Sequence, residues 1–279
     1  MEFLSTSHAH TSYVDGKHTV EEMIFYAKQF HFVSLGLSEH APQGFDPAYC
    51  MQNESINEYI DKIRAYQQTE KSIRVWCGLE IDSLVTNDDF QDQIKKVDYF
   101  ISSTHYLPHP NGEAPIAIDG NPERLRAYID QYLAGDGIAM AKAYYDLHVE
   151  TLLRRQPAVI GHFDILRKYA ASHQLFDENS ASYRKVALNA LERAFPCGGL
   201  LEINTGAIAR GTMKLPYPTI ELLGAWHEMG GQITLNSDCH NGPDLMCFYG
   251  EALKMIKEAG YRTIKHLGTA DQLWEDWEL

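Results

Sequence analysis

Positive charge is scarce in this chain. Of 279 residues, 24 are Lys or Arg and 38 are Asp or Glu, giving a formal net charge of −14. No basic run exceeds the pairs Lys95-Lys96 and Arg154-Arg155. The sequence therefore lacks the basic footprint by which proteins hold nucleic acid or anionic lipid. Long apolar runs are also missing, since none approaches the ~18 residues of a membrane helix. The start, Met1-Glu2-Phe3-Leu4-Ser5-Thr6-Ser7, has neither the basic residues nor the apolar stretch of a secretory signal, so a cytoplasmic location is expected. The five cysteines (Cys50, Cys77, Cys197, Cys239, Cys247) are scattered and form no CxxC pair. They read as reduced, mostly buried thiols, which excludes a disulfide frame or a zinc knuckle. There is no internal repeat and no low-complexity linker.

What is present suits one large α/β unit. With 44% hydrophobic residues the chain can bury a sizeable core, and its length matches that of β/α barrels, so residues 1–279 are expected to form a single domain. Short apolar or β-branched runs at 3–8, 33–37, 73–78, 99–103, 158–162, 200–204 and 232–235 predict strands. Amphipathic stretches usually follow them, the pattern of a parallel βα barrel. Thr19-Val20-Glu21-Glu22 predicts a capping box, with Val20, Met23, Ile24 and Ala27 at helical spacing behind it. Residues 55–68 repeat the pattern with Ile56, Tyr59, Ile60 and Ile63, and Pro218-Thr219-Ile220-Glu221 predicts a helix with proline in its first turn. Residues 108–139 predict a long loop and then a helix over about 122–133.

The chemistry lies just past these strands. The first is followed by His8, His10 and Asp15-Gly16, the second by Ser38-Glu39-His40, and the third carries Gly78-Leu79-Glu80-Ile81-Asp82. The fourth ends in Ser103-Thr104-His105, the fifth in Gly161-His162-Phe163-Asp164, and the seventh in Asn236-Ser237-Asp238-Cys239-His240. In a βα barrel all these ends open into one mouth. Residues two apart in extended chain share a face, so His8 with His10, and Asp238 with His240, can each grip one ion. Imidazole mixed with carboxylate suits zinc, iron or manganese better than calcium. An isolated histidine is usually a capped or surface residue, and that reading is kept for His18, His31, His148, His173, His227 and His266, which fall in predicted helices or connections.

His8-Ala9-His10-Thr11 with Asp15-Gly16, and then Ser38-Glu39-His40, Gly78-Leu79-Glu80, Ser103-Thr104-His105, Gly161-His162 and Ser237-Asp238-Cys239-His240, resemble in order the motifs of the PHP superfamily (polymerase and histidinol phosphatase). Glu202-Ile203-Asn204-Thr205-Gly206, Arg210 and Pro216-Tyr217-Pro218 resemble its histidinol-phosphate phosphatase branch. The resemblance implies a distorted (β/α)7 barrel and three divalent metal ions. The first would be held by His8, His10, Glu80 and Asp238. The second would be held by Glu80, His105 and His162 with Glu80 bridging, and the third by Asp15, His40 and His240. Three dications bring six positive charges and the three carboxylates remove three, so the cluster would carry about +3. That local charge would hold a phosphate dianion despite the acidic chain.

The expected reaction is hydrolysis of a phosphate monoester, histidinol phosphate by resemblance. A metal-bridging hydroxide would attack phosphorus, with Glu80, Asp238 and His105 around it. Asp164 and His109 are the candidate acids for the leaving group. Arg167 and Arg210 are candidates for the phosphate oxygens, and Glu113 and Asp119 for the cationic part of the substrate. Three other readings compete. A PHP-type phosphodiesterase or exonuclease would use the same motifs, although no basic groove is visible. A metal-dependent hydrolase of C–N or C–O bonds often needs a carboxylated lysine, which no predicted strand end supplies. A non-enzymatic metal-binding protein would leave the convergence of ligands at an open mouth without a purpose.

Overall fold

The computed structural model describes residues 4–279. Phe3, the first residue of the first predicted strand, lies outside the described residues. The strands are β1 (Leu4–Thr6), β2 (Phe32–His40), β3 (Arg74–Asp82), β4 (Tyr99–Ser103), β5 (Tyr106–Leu107), β6 (Ile116–Ala117), β7 (Val159–Ile160), β8 (Leu200–Asn204), β9 (Ile233–Asn236), β10 (Thr263–Leu267) and β11 (Trp274–Glu278). The helices are α1 (Val20–Gln29), α2 (Ile56–Thr69), α3 (Asn87–Ile94), α4 (Pro122–Tyr132), α5 (Gly137–Arg155), α6 (Ala181–Ala194), α7 (Gly206–Ala209), α8 (Ile220–Glu228) and α9 (Tyr249–Glu258).

The main sheet runs β1-β2-β3-β4-β7-β8-β9-β10-β11, and every pairing from β1 to β9 is parallel. It closes just beyond β1. The Ser38 amide donates to the Ala9 carbonyl (2.9 Å), and the His10 amide donates to the Cys239 carbonyl (2.8 Å) across a parallel bridge between Ala9 and Cys239. One segment is thus bonded to β2 on one side and to the end of β9 on the other, which makes the barrel of seven parallel strands. Below this closure the wall is completed by β10. It meets β9 at the single pair Lys265↔Thr234 and touches the far side through Leu267, whose amide donates to Ser5 Oγ (3.3 Å) and whose carbonyl accepts from Ser34 Oγ (2.6 Å). The antiparallel β11 then covers β10. Neither was expected from the sequence, because Trp-Glu-Asp-Trp-Glu at 274–278 carries too much charge to read as a strand.

Local signals explain the helices. Glu22 N donates to Thr19 Oγ1 (3.3 Å) and Thr19 N to Glu22 Oε2 (2.8 Å), so both orphan donors at the start of α1 are satisfied. Its buried face is Val20, Met23, Ile24 and Ala27, and that of α2 is Ile56, Tyr59, Ile60 and Ile63. At α8 the expectation needs correcting. Thr219 is the N-cap, accepting from Leu222 N (3.3 Å), so Pro218 precedes the helix instead of opening it. The 108–121 loop is shorter than expected because β5 and β6 pair as a small hairpin, after which Asn121 caps α4. Among the described residues no helix is long and apolar enough to cross a membrane. Most buried side chains from Leu4 to Ile264 form the main core, and Trp76, Tyr99, Ile101, Val159 and Leu267 form a smaller cluster. Within the barrel Tyr99 reaches across to the Ser7 carbonyl (2.6 Å), and a Cβ on Gly78 would meet its ring at 2.4 Å.

Candidate active site

The parallel strands carry their polar residues to one end. Glu80 sits near the end of β3, and His40 closes β2. His105 follows β4, and His162 follows β7. Asp238 and His240 follow β9, and His8 and His10 flank the closing residue Ala9. His8, His10, Glu80, His162 and Asp238 are buried, His40, His105 and His240 are half-buried, and Asp15 is exposed.

Glu80 is the hub. Its Oε2 lies 3.2 Å from His8 Nε2 and 3.6 Å from His10 Nε2, and Asp238 Oδ1 lies 3.7 and 3.4 Å from the same two nitrogens. Its Oε1 faces another group, 3.0 Å from His162 Nε2 and 3.4 Å from His105 Nε2, which are themselves 3.2 Å apart. Donors about 2.0–2.1 Å from a tetrahedral ion stand roughly 3.3 Å from one another. Both groups have that spacing. A third cluster brings Asp15 together with His10, His40 and His240, with Asp15 Oδ2 3.1 Å from His240 Nε2 and 3.9 Å from His40 Nε2. Here the arrangement is less partitioned than the sequence suggests. His40 Nδ1 is also 2.9 Å from Glu80 Oε2, and His10 Nδ1 is 4.0 Å from Asp15 Oδ1, so both rings stand between two clusters.

Electrostatics shows why a cation fits. Burial favours a neutral His8, but Glu202, Glu80 and Asp238 outweigh it and hold the imidazole well above its ordinary pKa. Burial would likewise raise Glu80, yet His8, His40 and His105 hold it well below the usual carboxylate range. Asp238 is held down against burial by Arg210 and then His8. His10 falls to about 3 through burial and its neighbours His240 and His40. Buried His8 Nε2, both His10 ring nitrogens and Glu80 Oε2 have no hydrogen-bond partner. Buried polar atoms of this kind ordinarily require a cation or ordered water. The mixture of imidazole and carboxylate fits a transition-metal dication.

Around this centre the other candidates separate. Arg210 belongs to it: Nη2 is 2.9 Å from Asp238 Oδ2, and Nη1 is 3.0 Å from the Asp238 carbonyl and 3.1 Å from His240 Nδ1. Arg167 is bound elsewhere, by Asp164 (3.1 Å) and Glu178 (2.5 Å). The same contact corrects the placement of Asp164 at the mouth. It is fully buried, and Oδ2 accepts from Arg167 and from the Thr219 amide. The physical reason is the 3-10 turn Ile165–Tyr169 that follows it, since side chains three apart eclipse in such a turn. His109 packs on the rings of Tyr128 and Tyr132, and Glu113 stays in solvent beside it. Asp119 is held low against burial by Lys168, then by His105; its neighbour Ile118 donates its amide to the His105 carbonyl (2.7 Å), and Lys168 Nζ is bonded to the Asp119 carboxylate (3.1 Å) and carbonyl (2.8 Å). His148 is buried behind β4, its Nδ1 2.8 Å from Thr104 Oγ1.

Three supporting groups escaped sequence reasoning as site residues. Glu202 lies beneath the cluster, Asp82 Oδ2 accepts from the His105 amide (2.7 Å), and Ser103 Oγ donates to Glu80 Oε1 (2.6 Å). Glu202 had a usable signal, an acid inside the apolar run Leu200-Leu201-Glu202-Ile203, and Asp82 shares the alternation of Glu80. Asp238 itself adopts a left-handed backbone (φ 46°), which Asp tolerates better than most residues. Gly206 makes room for it, because a Cβ there would lie 2.9 Å from both Cβ and Oδ2 of Asp238. Gly206→Ala is expected to displace that carboxylate and lower turnover by about 10²-fold, the usual cost of an ångström-scale misplacement. Steady-state kinetics with metal content measured in parallel checks this, and unchanged values of both would refute it.

A parallel barrel whose strand ends carry overlapping imidazole–carboxylate clusters defines a metal-binding α/β barrel. The PHP domain signature matches residues 6–206, and the chain belongs to this family. It is 27% identical over 281 residues to a Schizosaccharomyces pombe protein described as a probable histidinol-phosphatase, covering 93% of this chain and 88% of that one. A Deinococcus radiodurans protein with the same description is 28% identical over 227 residues, 80% of each. Among solved structures the fold is similar to histidinol phosphate phosphatase from Lactococcus lactis, solved in complex with zinc, L-histidinol and phosphate. The TM-score is 0.69 at 18% identity, covering 95% of this chain and 97% of that one.

Proposed function

We propose that the chain is a metal-dependent phosphomonoesterase that hydrolyses L-histidinol phosphate to L-histidinol and inorganic phosphate, a step in histidine biosynthesis. The observation that carries the reading is Glu80, whose Oε2 faces His8 and His10 and whose Oε1 faces His105 and His162 at one barrel mouth. The histidinol-phosphatase relatives and the product-bound neighbour of the same fold support the choice of substrate.

The ligand sets proposed are His8, His10, Glu80 and Asp238 for one ion, Glu80, His105 and His162 for a second, and Asp15, His40 and His240 for a third, with zinc, iron or manganese as the metals. Such ions lower the pKa of bound water and neutralise phosphoryl oxygens. The remaining work falls to side chains. Arg210, held by Asp238, turns a planar guanidinium toward the cluster, where it can share a phosphate oxygen. Asp119, next in sequence to Ile118, whose amide is bonded to the His105 carbonyl, is the carboxylate proposed to meet the cationic part of the substrate. Lys168 offsets its charge, so it does not repel the phosphate.

A screen of phosphate release across small monoesters, run beside single-stranded DNA, tests the reading. Histidinol phosphate is expected to give the highest kcat/KM, with no nucleotide released from DNA. A preference for DNA or for an unrelated monoester would sink the substrate assignment.

A further inference from the structure

We infer that Glu202 is a positioning residue that fixes the proton of His8 on Nδ1 and so points the Nε2 lone pair at the metal centre. The inference rests on the metal reading of the site and deepens it. Glu202 comes from β8, whose end supplies none of the proposed ligands, and is fully buried. Its Oε1 is 2.6 Å from His8 Nδ1 and accepts from Asn236 Nδ2 (2.9 Å). Its Oε2 accepts from the His162 amide (2.7 Å) and from Asn204 Nδ2 (3.1 Å). One carboxylate therefore holds the ring of one proposed ligand and the backbone of another. Those ligands, His8 and His162, face opposite oxygens of Glu80.

The surroundings demand an acceptor on both sides. A neutral imidazole has one N–H and one lone pair, and the partner of one nitrogen decides what the other can do. With Glu202 accepting at Nδ1, the proton that leaves the ring when a metal enters comes from Nε2, and that lone pair faces Glu80 and Asp238. Glutamine would fill the same volume with one acceptor and one donor. The His162 amide is fixed by backbone, so the glutamine oxygen must stay with it. The NH2 then faces His8 Nδ1, which can only accept, and the ring proton moves to Nε2, where it blocks the ligand position.

Glu202→Gln tests this. Wild type and variant are loaded with zinc and dialysed against graded chelator, and ions per chain are read by elemental analysis. The variant is expected to lose its first ion at a free zinc concentration roughly 10–100-fold higher than wild type, the usual effect of removing such a partner. A purely structural role would lower the melting temperatures of metal-stripped and zinc-loaded protein together and leave zinc affinity unchanged. That result would overturn the inference. If wild type itself retains no zinc, the metal reading fails as a whole, a different outcome from equal zinc retention in both proteins. Should the variant not fold, 15N-histidine spectra of zinc-loaded wild type decide the matter. A slowly exchanging Nδ1–H on His8 supports the assignment, and its absence overturns it.

Discussion

Glu80→Ala is expected to lose bound metal and turnover together. The carboxylate points Oε2 at His8 and His10 and Oε1 at His105 and His162, so on the proposed ligand sets its removal would subtract a donor from two ion positions at once. It also leaves His8, His40 and His105 without the anion that offsets their mutual repulsion. Electrostatic stabilisation by bound ions is worth several kcal/mol; losing about 4 kcal/mol corresponds to roughly 10³-fold in rate. Elemental analysis should find fewer ions per chain, and phosphate release should fall by at least that factor. A variant with full metal content and normal turnover would refute the bridging role.

Chelation should abolish activity, and zinc, iron or manganese should restore it. In the stripped protein His8 and His40 are held above their ordinary pKa and His105 is lifted to about 9, in each case by carboxylates that outweigh burial. A metal entering the site must displace those protons, so reloading should weaken as pH falls below about 9 and release protons as it proceeds. Titrating metal into stripped enzyme at several pH values measures both effects. Activity that survives complete metal removal would end the metal-dependent mechanism, whatever the substrate.

The site was legible in sequence to an unequal degree. Strand ends at His8, His40, His105, His162 and Asp238 could be read because apolar runs stop abruptly at a His or acid, and parallel strands send all such ends the same way. Fourth-strand and sixth-strand bounds matched residue for residue at 99–103 and 200–204. Supporting residues were harder. Arg167 and Arg210 look equivalent in sequence, yet a 3-10 turn gives Arg167 to Asp164 while the short helix α7 after β8 ends with Arg210 beside Asp238. Asp164, Glu113 and His109 carry the right chemistry, but Asp164 is bonded to Arg167, and His109 packs on Tyr128 and Tyr132 with Glu113 beside it. No local pattern marks Lys168, whose partner Asp119 is 49 residues away.

The order of apolar runs and polar ends determined by itself that the chain would form a parallel α/β barrel with His, Asp and Glu at one mouth. Periodicity and strand polarity are local properties, written within a few residues. Tertiary structure alone decided which atoms meet. The closure at Ala9 and Cys239, the docking of β10 into the wall, the two faces of Glu80 and the grip of Glu202 on His8 all join segments distant in sequence. Their distances depend on how the barrel packs, which no single segment encodes.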